Sequence, residues 1–304
     1  MSWRFVIPHF QNFLDNLELT EKQKKDALEK VANVWSCLHK HYYGHPFIDQ
    51  KTIRIVGSHA KGTAIRPPSD IDILFVLPSS EFTRINQRTG NVQSQFLQEV
   101  KSVLINTFPK TDLSADGQII KAPFSDYAVE VVPSFLRDDG KYVICDSNAG
   151  GRWKITDPNS EIFEIRNTDS LTSGKATHLI KMLKVWKKTC NVEIKTFVLE
   201  IAAWSFVRQW PHKHQSLFWY DWMIRDFFGW LLNFKNAPAT VPGTGEIIPL
   251  GDAWYSRCES AYSRALKACE YEYYDQGDHA GEEWQKIFGT QFSAIEGLLR
   301  AMLG

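Results

Sequence analysis

Two aspartates at i and i+2, Asp70 and Asp72, follow a Gly57-Ser58 pair in the segment Ile55–Pro78 (IVGSHAKGTAIRPPSDIDILFVLP). A strand sends residues i and i+2 to the same face, so these carboxylates point together and suit hard divalent cations, which take oxygen ligands. A Gly-Ser turn at the end of a strand offers backbone N–H groups and a hydroxyl that can cradle phosphates. An isolated Asp-x-Asp pair is more often two solvated residues at a strand end. Behind a Gly-Ser turn, it argues for a site that handles a metal-bound nucleotide.

A second group of charges lies on the helical stretch Gly174–Cys190. Leu179, Met182, Leu183 and Trp186 make one apolar stripe, while Lys181, Lys184 and Lys188 fall in a narrow arc on the opposite side. Lysines on one face repel one another unless something anionic sits there, although a plain solvated face accounts for the pattern equally well. His39, His41, His45, His212 and His214 have no Cys or carboxylate partner at ligand spacing and read as satisfied or exposed residues. Trp204, Trp210, Trp219, Trp222 and Trp230 lie in helical stretches and are most simply core; an aromatic near the site could stack a base.

The elements that must position these groups follow from pattern. Thr20-Glu21-Lys22-Gln23 is a capping box, and Ala27, Val31, Val34, Trp35 and Leu38 recur at helical spacing towards Tyr43, so one long helix ends at Gly44. Thr52–Val56 reads as a strand running into Gly57-Ser58, and Asp70–Leu77 as a strand buried on both sides beyond its acidic start. Ser79–Gly90 is a polar connection to a helix over Gln95–Phe108, followed by strands over Gln118–Pro123, Ala128–Pro133 and Lys141–Cys145. From about Thr172 the pattern is helical, interrupted by a Pro/Gly/Thr loop over Ala237–Pro249. A mixed α/β lobe therefore precedes a helical one.

The 304 residues carry 35 Lys+Arg against 35 Asp+Glu, which excludes a globally basic coat for long nucleic acid and sends any polyanion to a local patch. No signal peptide or membrane-length apolar run is present, and the five scattered cysteines lack CxxC spacing, so the expectation is reduced thiols in a cytoplasmic protein.

The residues Gly57-Ser58, Gly62-Thr63 and Ser69-Asp70-Ile71-Asp72 resemble the GSxxxGT…SDID signature of the DNA-polymerase-β-like nucleotidyltransferases. GSHAKGTAIRPPSDIDILF is particularly similar to the bacterial cGAS/DncV-like nucleotidyltransferases, the CD-NTases of CBASS anti-phage systems. Further matches are Val129–Pro133 (VEVVP), Gly150-Gly151-Arg152-Trp153 with Asp157-Pro158, Leu179–Lys188, Lys195–Glu200, and Glu283-Trp284 through Phe288-Gly289 to Phe292, so the resemblance extends over most of the chain. It implies an α+β fold: a polymerase-β-like lobe of mixed sheet with flanking helices over 45–166, a helical C-terminal lobe over 167–304, a bracing N-terminal helical segment over 1–44, and an active site in the cleft between the lobes.

The resemblance also implies a third carboxylate, which Glu130 fills where most relatives carry Asp; Asp126, just before that strand, is the fallback ligand. It assigns Lys184, Lys188 and Thr196 to the triphosphate beside Gly57 and Ser58, and treats Lys181 as surface. Asp70, Asp72 and Glu130 would then hold two Mg²⁺ ions, with Mn²⁺ as the substitute, for nucleotidyl transfer. The implied substrates are ATP and other NTPs, and the implied product is a cyclic trinucleotide rich in adenosine, read by a separate effector. An operon-encoded regulatory or conjugation partner, no membrane and little affinity for long nucleic acid complete the picture. Conjugation would act on the terminal Gly304, although Ser293–Leu303 reads more plainly as a last helix with a Gly stop. The alternatives are an RNA-tailing enzyme, a small-molecule nucleotidyltransferase and a catalytically silent nucleotide-binding relative.

Overall fold

A computed structural model describes residues 3–45, 49–68, 70–125 and 127–294. Along the chain, helices α1 (Val6–Leu17) and α2 (Glu21–Tyr43) precede β1 (Ile53–Ile55), the short α3 (Gly57–Lys61) and β2 (Asp70–Val76). Then follow α4 (Ser79–Asn86), α5 (Val92–Thr107), and strands β3 (Ser114–Asp116), β4 (Ile119–Pro123), β5 (Ala128–Leu136), β6 (Tyr142–Asp146) and β7 (Arg152–Thr156). The rest holds α6 (Pro158–Thr172), α7 (Lys175–Thr189), α8 (Thr196–Gln209), α9 (Tyr220–Leu231), the hairpin β8 (Pro238–Thr240) and β9 (Ile247–Pro249), α10 (Tyr255–Tyr273) and α11 (Gly277–Phe288). Contacts divide the chain into two compact units, residues 19–162 and residues 1–18 with 163–304. The N-terminal segment therefore contributes α1 to the helical unit and α2 to the sheet unit.

In the sheet unit the strand order is β1-β2-β5-β4-β3, with β6 pairing the end of β5 and β7 pairing β6. Among the described residues of this sheet only β2 and β5 run parallel; the other pairs are antiparallel. The pleat of β2 separates two apolar layers. Ile71, Ile73 and Phe75 pack with Val129, Val131 and residues of α2 and α5, while Leu74 and Val76 join Val56, Tyr142 and Ile144 on the other face. Helix α2 begins with the full capping box: the Gln23 N–H donates to Thr20 Oγ1 at 3.2 Å, and the Thr20 N–H donates to Gln23 Oε1 at 2.9 Å. It ends at Gly44, whose φ of 76° suits a residue without a Cβ.

Three local expectations give way. The polar stretch after Pro78 winds into α4, whose buried Ile85 anchors it to the core of the unit. The Pro/Gly/Thr loop contains the β8–β9 hairpin, paired through Ala239 and Ile248. The short β3 and β7 are absent from the sequence reading because neither carries a clear alternation of its own; each is fixed by its ladder partner. The expected last helix over 293–303 lies almost wholly outside the described residues, as does Gly304.

In the helical unit, Leu179, Met182, Leu183 and Trp186 of α7 form the predicted stripe, each fully buried. Trp186 meets Phe228 of α9 edge to face at 4.9 Å, and Phe10 of α1 meets Trp284 of α11 at 5.3 Å. The five cysteines are all free thiols. No helix among the described residues is long and apolar enough to cross a membrane.

Candidate active site

Register brings the acidic residues together. Strand β2 opens with Asp70 and Asp72 on one face, and the parallel pairing sets Asp72 opposite Glu130 of β5. Strand β4 then sets Lys121 opposite Glu130. Its ammonium lies 3.0 Å from Asp70 Oδ1 and 2.9 Å from Glu130 Oε1. Three carboxylates and one lysine thus share one end of three adjacent strands.

The Gly-Ser turn sits directly over this cluster. The Val56 N–H donates to the Asp72 carbonyl at 2.9 Å, which fixes where α3 begins. Gly57 has a φ of 59°, and a Cβ built on it would fall 1.9 Å from Asp72 Oδ2. Glycine is required twice here, by the left-handed backbone and by the approach of the carboxylate. Ser58 follows in the first turn of α3, and Gly62 closes that helix with a φ of 72°. Lys61, at the end of the same turn, is buried and paired with Glu161 Oε2 at 2.7 Å.

Crowded acids titrate abnormally. Burial, then the Glu130 and Asp70 carboxylates, push the Asp72 carboxyl up to about 7, with Lys61 opposing. Among the described residues no three His, Cys, Asp or Glu side chains converge on one point as metal ligands. The donor set nevertheless fits a hard divalent cation: oxygen ligands only, an excess of negative charge that raises a buried acid, and a lysine ammonium that supplies part of the missing positive charge. Asp126, the fallback ligand, lies outside the described residues, as does Ser69 of the motif.

The phosphate-side candidates belong to the helical unit. Lys184 extends from α7 to Glu200 Oε1 of α8 at 3.0 Å, with both side chains largely buried. Lys188 is exposed near the end of α7, and Thr196 is the first residue of α8. Lys181 is not the surface residue that its position on the polar arc suggested: it is 4% exposed and paired with Glu18 of the segment after α1. The anions opposite the lysine arc therefore include the protein's own Glu18 and Glu200. Helical periodicity locates an arc but not the element that packs on it.

Lys121 and Lys61 escaped the sequence reading. Lys121 is the polar member of the strand IIKAP, which hints at a special face, but its partner Glu130 is set only by cross-strand register. Of the histidines, His39 is buried with its Nδ1 2.8 Å from the His45 carbonyl, and His214 is exposed. Among the tryptophans, Trp210 is core, whereas Trp204, Trp219, Trp222 and Trp230 are only partly buried.

Comparison with known proteins finds related sequences and folds. Residues 5–168 match the Second Messenger Oligonucleotide or Dinucleotide Synthetase domain, SMODS. The chain is 23% identical over 279 residues to a probable cyclic nucleotide synthase of Bacillus cereus (strain VD146), covering 79% of this chain and 82% of that protein. Its fold resembles CdnC of Escherichia coli MS115-1, solved in complex with HORMA-deltaN, with a TM-score of 0.68 and 19% identity over 95% of this chain and 98% of that chain. The same CdnC solved with ATP gives a TM-score of 0.65 and 17% identity, covering 97% and 99% of the two chains. Vibrio cholerae DncV, a cyclic AMP-GMP synthase solved with the linear intermediate 5′ pppA(3′,5′)pG, gives 0.75 and 12%, covering 97% and 98%.

Proposed function

The chain belongs to the Second Messenger Oligonucleotide or Dinucleotide Synthetase family, the CD-NTases, and is a nucleotidyltransferase of the cyclic-nucleotide-synthase kind; from that premise we propose that ATP is its main donor and a cyclic trinucleotide rich in adenosine its product, made as a signal in CBASS anti-phage defence. The observation that carries the reading is the gathering of Asp70, Asp72 and Glu130 at one sheet end beneath the Gly57-Ser58 turn. That CdnC was solved with ATP, and DncV with a linear intermediate, supports ATP as donor and a synthesis that passes through a linear oligonucleotide.

Asp70, Asp72 and Glu130 would hold two Mg²⁺ ions, or Mn²⁺ in their place. Once bound, the ions supply activation of the attacking ribose hydroxyl and neutralisation of the departing pyrophosphate. The chain's own groups provide orientation. The N–H groups and hydroxyl at Gly57 and Ser58 cradle donor phosphate oxygens, and the close approach of Gly57 to Asp72 ties phosphate position to carboxylate position. Lys184, Lys188 and Thr196 are assigned to the triphosphate, where a lysine ammonium counters charge and a hydroxyl donates a hydrogen bond. Glu200 holds Lys184 extended before substrate arrives. Lys121 balances Asp70 and Glu130 and must yield them when cations enter. The CdnC:HORMA complex supports a protein partner as regulator of this chain, and the effector that reads the product is a separate molecule.

The test is incubation of the pure protein with Mg²⁺ and labelled NTP mixtures, phosphatase digestion, and mass spectrometry. A phosphatase-resistant cyclic oligonucleotide is expected, lost in the Asp70→Asn/Asp72→Asn double variant while its circular dichroism spectrum is unchanged. Products that all surrender their terminal phosphate would favour an RNA-tailing or small-molecule transferase. Nucleotide binding without turnover in any mixture would favour a silent relative.

A further inference from the structure

Arg257, Arg264 and Lys286 line a polar cleft of about 280 Å³ in the helical unit. The two arginines share one face of α10, and Lys286 comes from the last turn of α11. Thr189, Cys190 and Asn191 around the end of α7 complete the lining with Ser260 of α10, and the Cys190 thiol fastens α7 to α11 by donating to the Ile287 carbonyl at 3.5 Å. The cations are presented rather than consumed. The largely buried Glu283 carboxylate accepts from Arg264 at 3.1 Å and from Lys286 at 2.7 Å, which fixes both groups and leaves each with further N–H donors. Their side chains remain 38% and 46% exposed. Arg257 is exposed, and among the described residues its guanidinium has neither an ion pair nor a hydrogen bond. Nor do these cations cap the helix ends. Among the described residues none of them donates to a main-chain carbonyl, and the last turn of α7 is closed by the Cys190 and Val192 N–H groups, which donate to the Trp186 and Lys187 carbonyls at 2.9 Å.

We propose that this cleft binds a compact oligophosphate anion of the pyrophosphate kind. Cations gathered in one cleft repel one another, and the single Glu283 carboxylate offsets only part of their charge. A guanidinium fork matches two oxygens of a phosphate, and an ammonium acts beside it as a point charge, so two joined phosphates engage more of the cleft than one does. Thr189, Ser260 and Asn191 add neutral donors. Among the lining residues none is aromatic, so a nucleobase has no ring to stack on and charge is what the cleft recognises. Lys184, Lys188 and Thr196 do not line it either, which separates it from the triphosphate positions assigned above. The proposal does not depend on the donor or product assigned there.

Calorimetric titration of the full chain with sodium pyrophosphate tests it, in EDTA so that no divalent cation bridges the anion to the carboxylate cluster. Saturable binding is expected, weakened roughly tenfold or more by Arg257→Gln, weakened less by Arg257→Lys, and falling as sodium chloride is raised. Because Arg257 is exposed, its replacement leaves the fold intact, which circular dichroism checks. The proposal is overturned if pyrophosphate does not saturate, if inorganic phosphate binds as tightly, or if Arg257→Gln binds pyrophosphate like the wild type, since the anion then sits elsewhere. Competition with ATP in the same buffer identifies the source. ATP that displaces pyrophosphate from the Arg257-dependent site at a comparable concentration identifies the phosphate tail of a nucleotide; ATP that fails to do so identifies the free anion, and either result upholds the recognition.

Discussion

Gly57 shows how much one residue can carry. A Cβ there would meet Asp72 Oδ2 at 1.9 Å, and the atom it meets is the far end of a rotatable side chain. The carboxylate can swing aside but Asp72 Cβ, at 3.2 Å, cannot, so Gly57→Ala should lose at least the cost of a left-handed alanine, about 1–2 kcal/mol. The swing removes Asp72 from the position that the site requires, and a misplacement of about 1 Å can cost roughly 100-fold in rate. We therefore expect thermal unfolding to fall by a few degrees while turnover falls by about two orders of magnitude or more. Equal retention of both would show that the turn does not position Asp72. Strand β5 seats Glu130 opposite Asp72.

At the scale of elements, three neighbouring strands impose a charge arrangement that none has alone. Parallel β2–β5 pairing and antiparallel β5–β4 pairing place Asp70, Asp72, Glu130 and Lys121 side by side. Removing the ammonium with Lys121→Met leaves the carboxylates to repel one another in metal-free protein. The melting temperature of this variant in EDTA should drop by several degrees, and Mg²⁺ should raise it by more than it raises the wild type, since a ligand that binds only the native state stabilises it. An identical Mg²⁺-induced shift in both proteins would deny that Lys121 stands in for cation charge. The α7–α8 pair works in a related way: Glu200 and Lys184 meet at 3.0 Å with both side chains largely buried, where opposite charges offset part of each other's desolvation.

Across the whole molecule, balanced charge conceals strongly unbalanced interiors. In the helical unit, burial pushes the Asp221 carboxyl up to about 7, helped by the Glu272 carboxylate and opposed by Arg225 and by backbone N–H groups. An unfolded aspartate titrates near about 4, so between about pH 4 and pH 7 the folded state binds more protons than the unfolded one. This term therefore lowers stability as pH rises through that window and levels off above it, with an amplitude of a few kcal/mol. Asp221→Asn lacks the term. The melting temperature of the variant relative to wild type should climb between about pH 5 and pH 8. A constant difference across that range would mean that the carboxyl is not raised.

The motif residues, most of their elements and the family resemblance were legible in the chain, because periodicity, capping and turn chemistry are local and each is written in a few consecutive residues; Gly57–Lys61, read as a turn, winds into the short helix α3. Thr20 with Gln23, the two-sided burial of β2 and the apolar stripe of α7 appear where the pattern places them. The partners of those residues depended on tertiary structure. Glu130 meets Asp72 and Lys121 through ladders whose register is set by distant packing, Lys181 turns inward to Glu18, and Trp219 and Trp222 line a cavity that includes Trp3 from the other end of the sequence. Local sequence encodes what a segment can become; which charges and rings face one another depends on contacts between segments far apart in the chain, and those are settled only when the core packs.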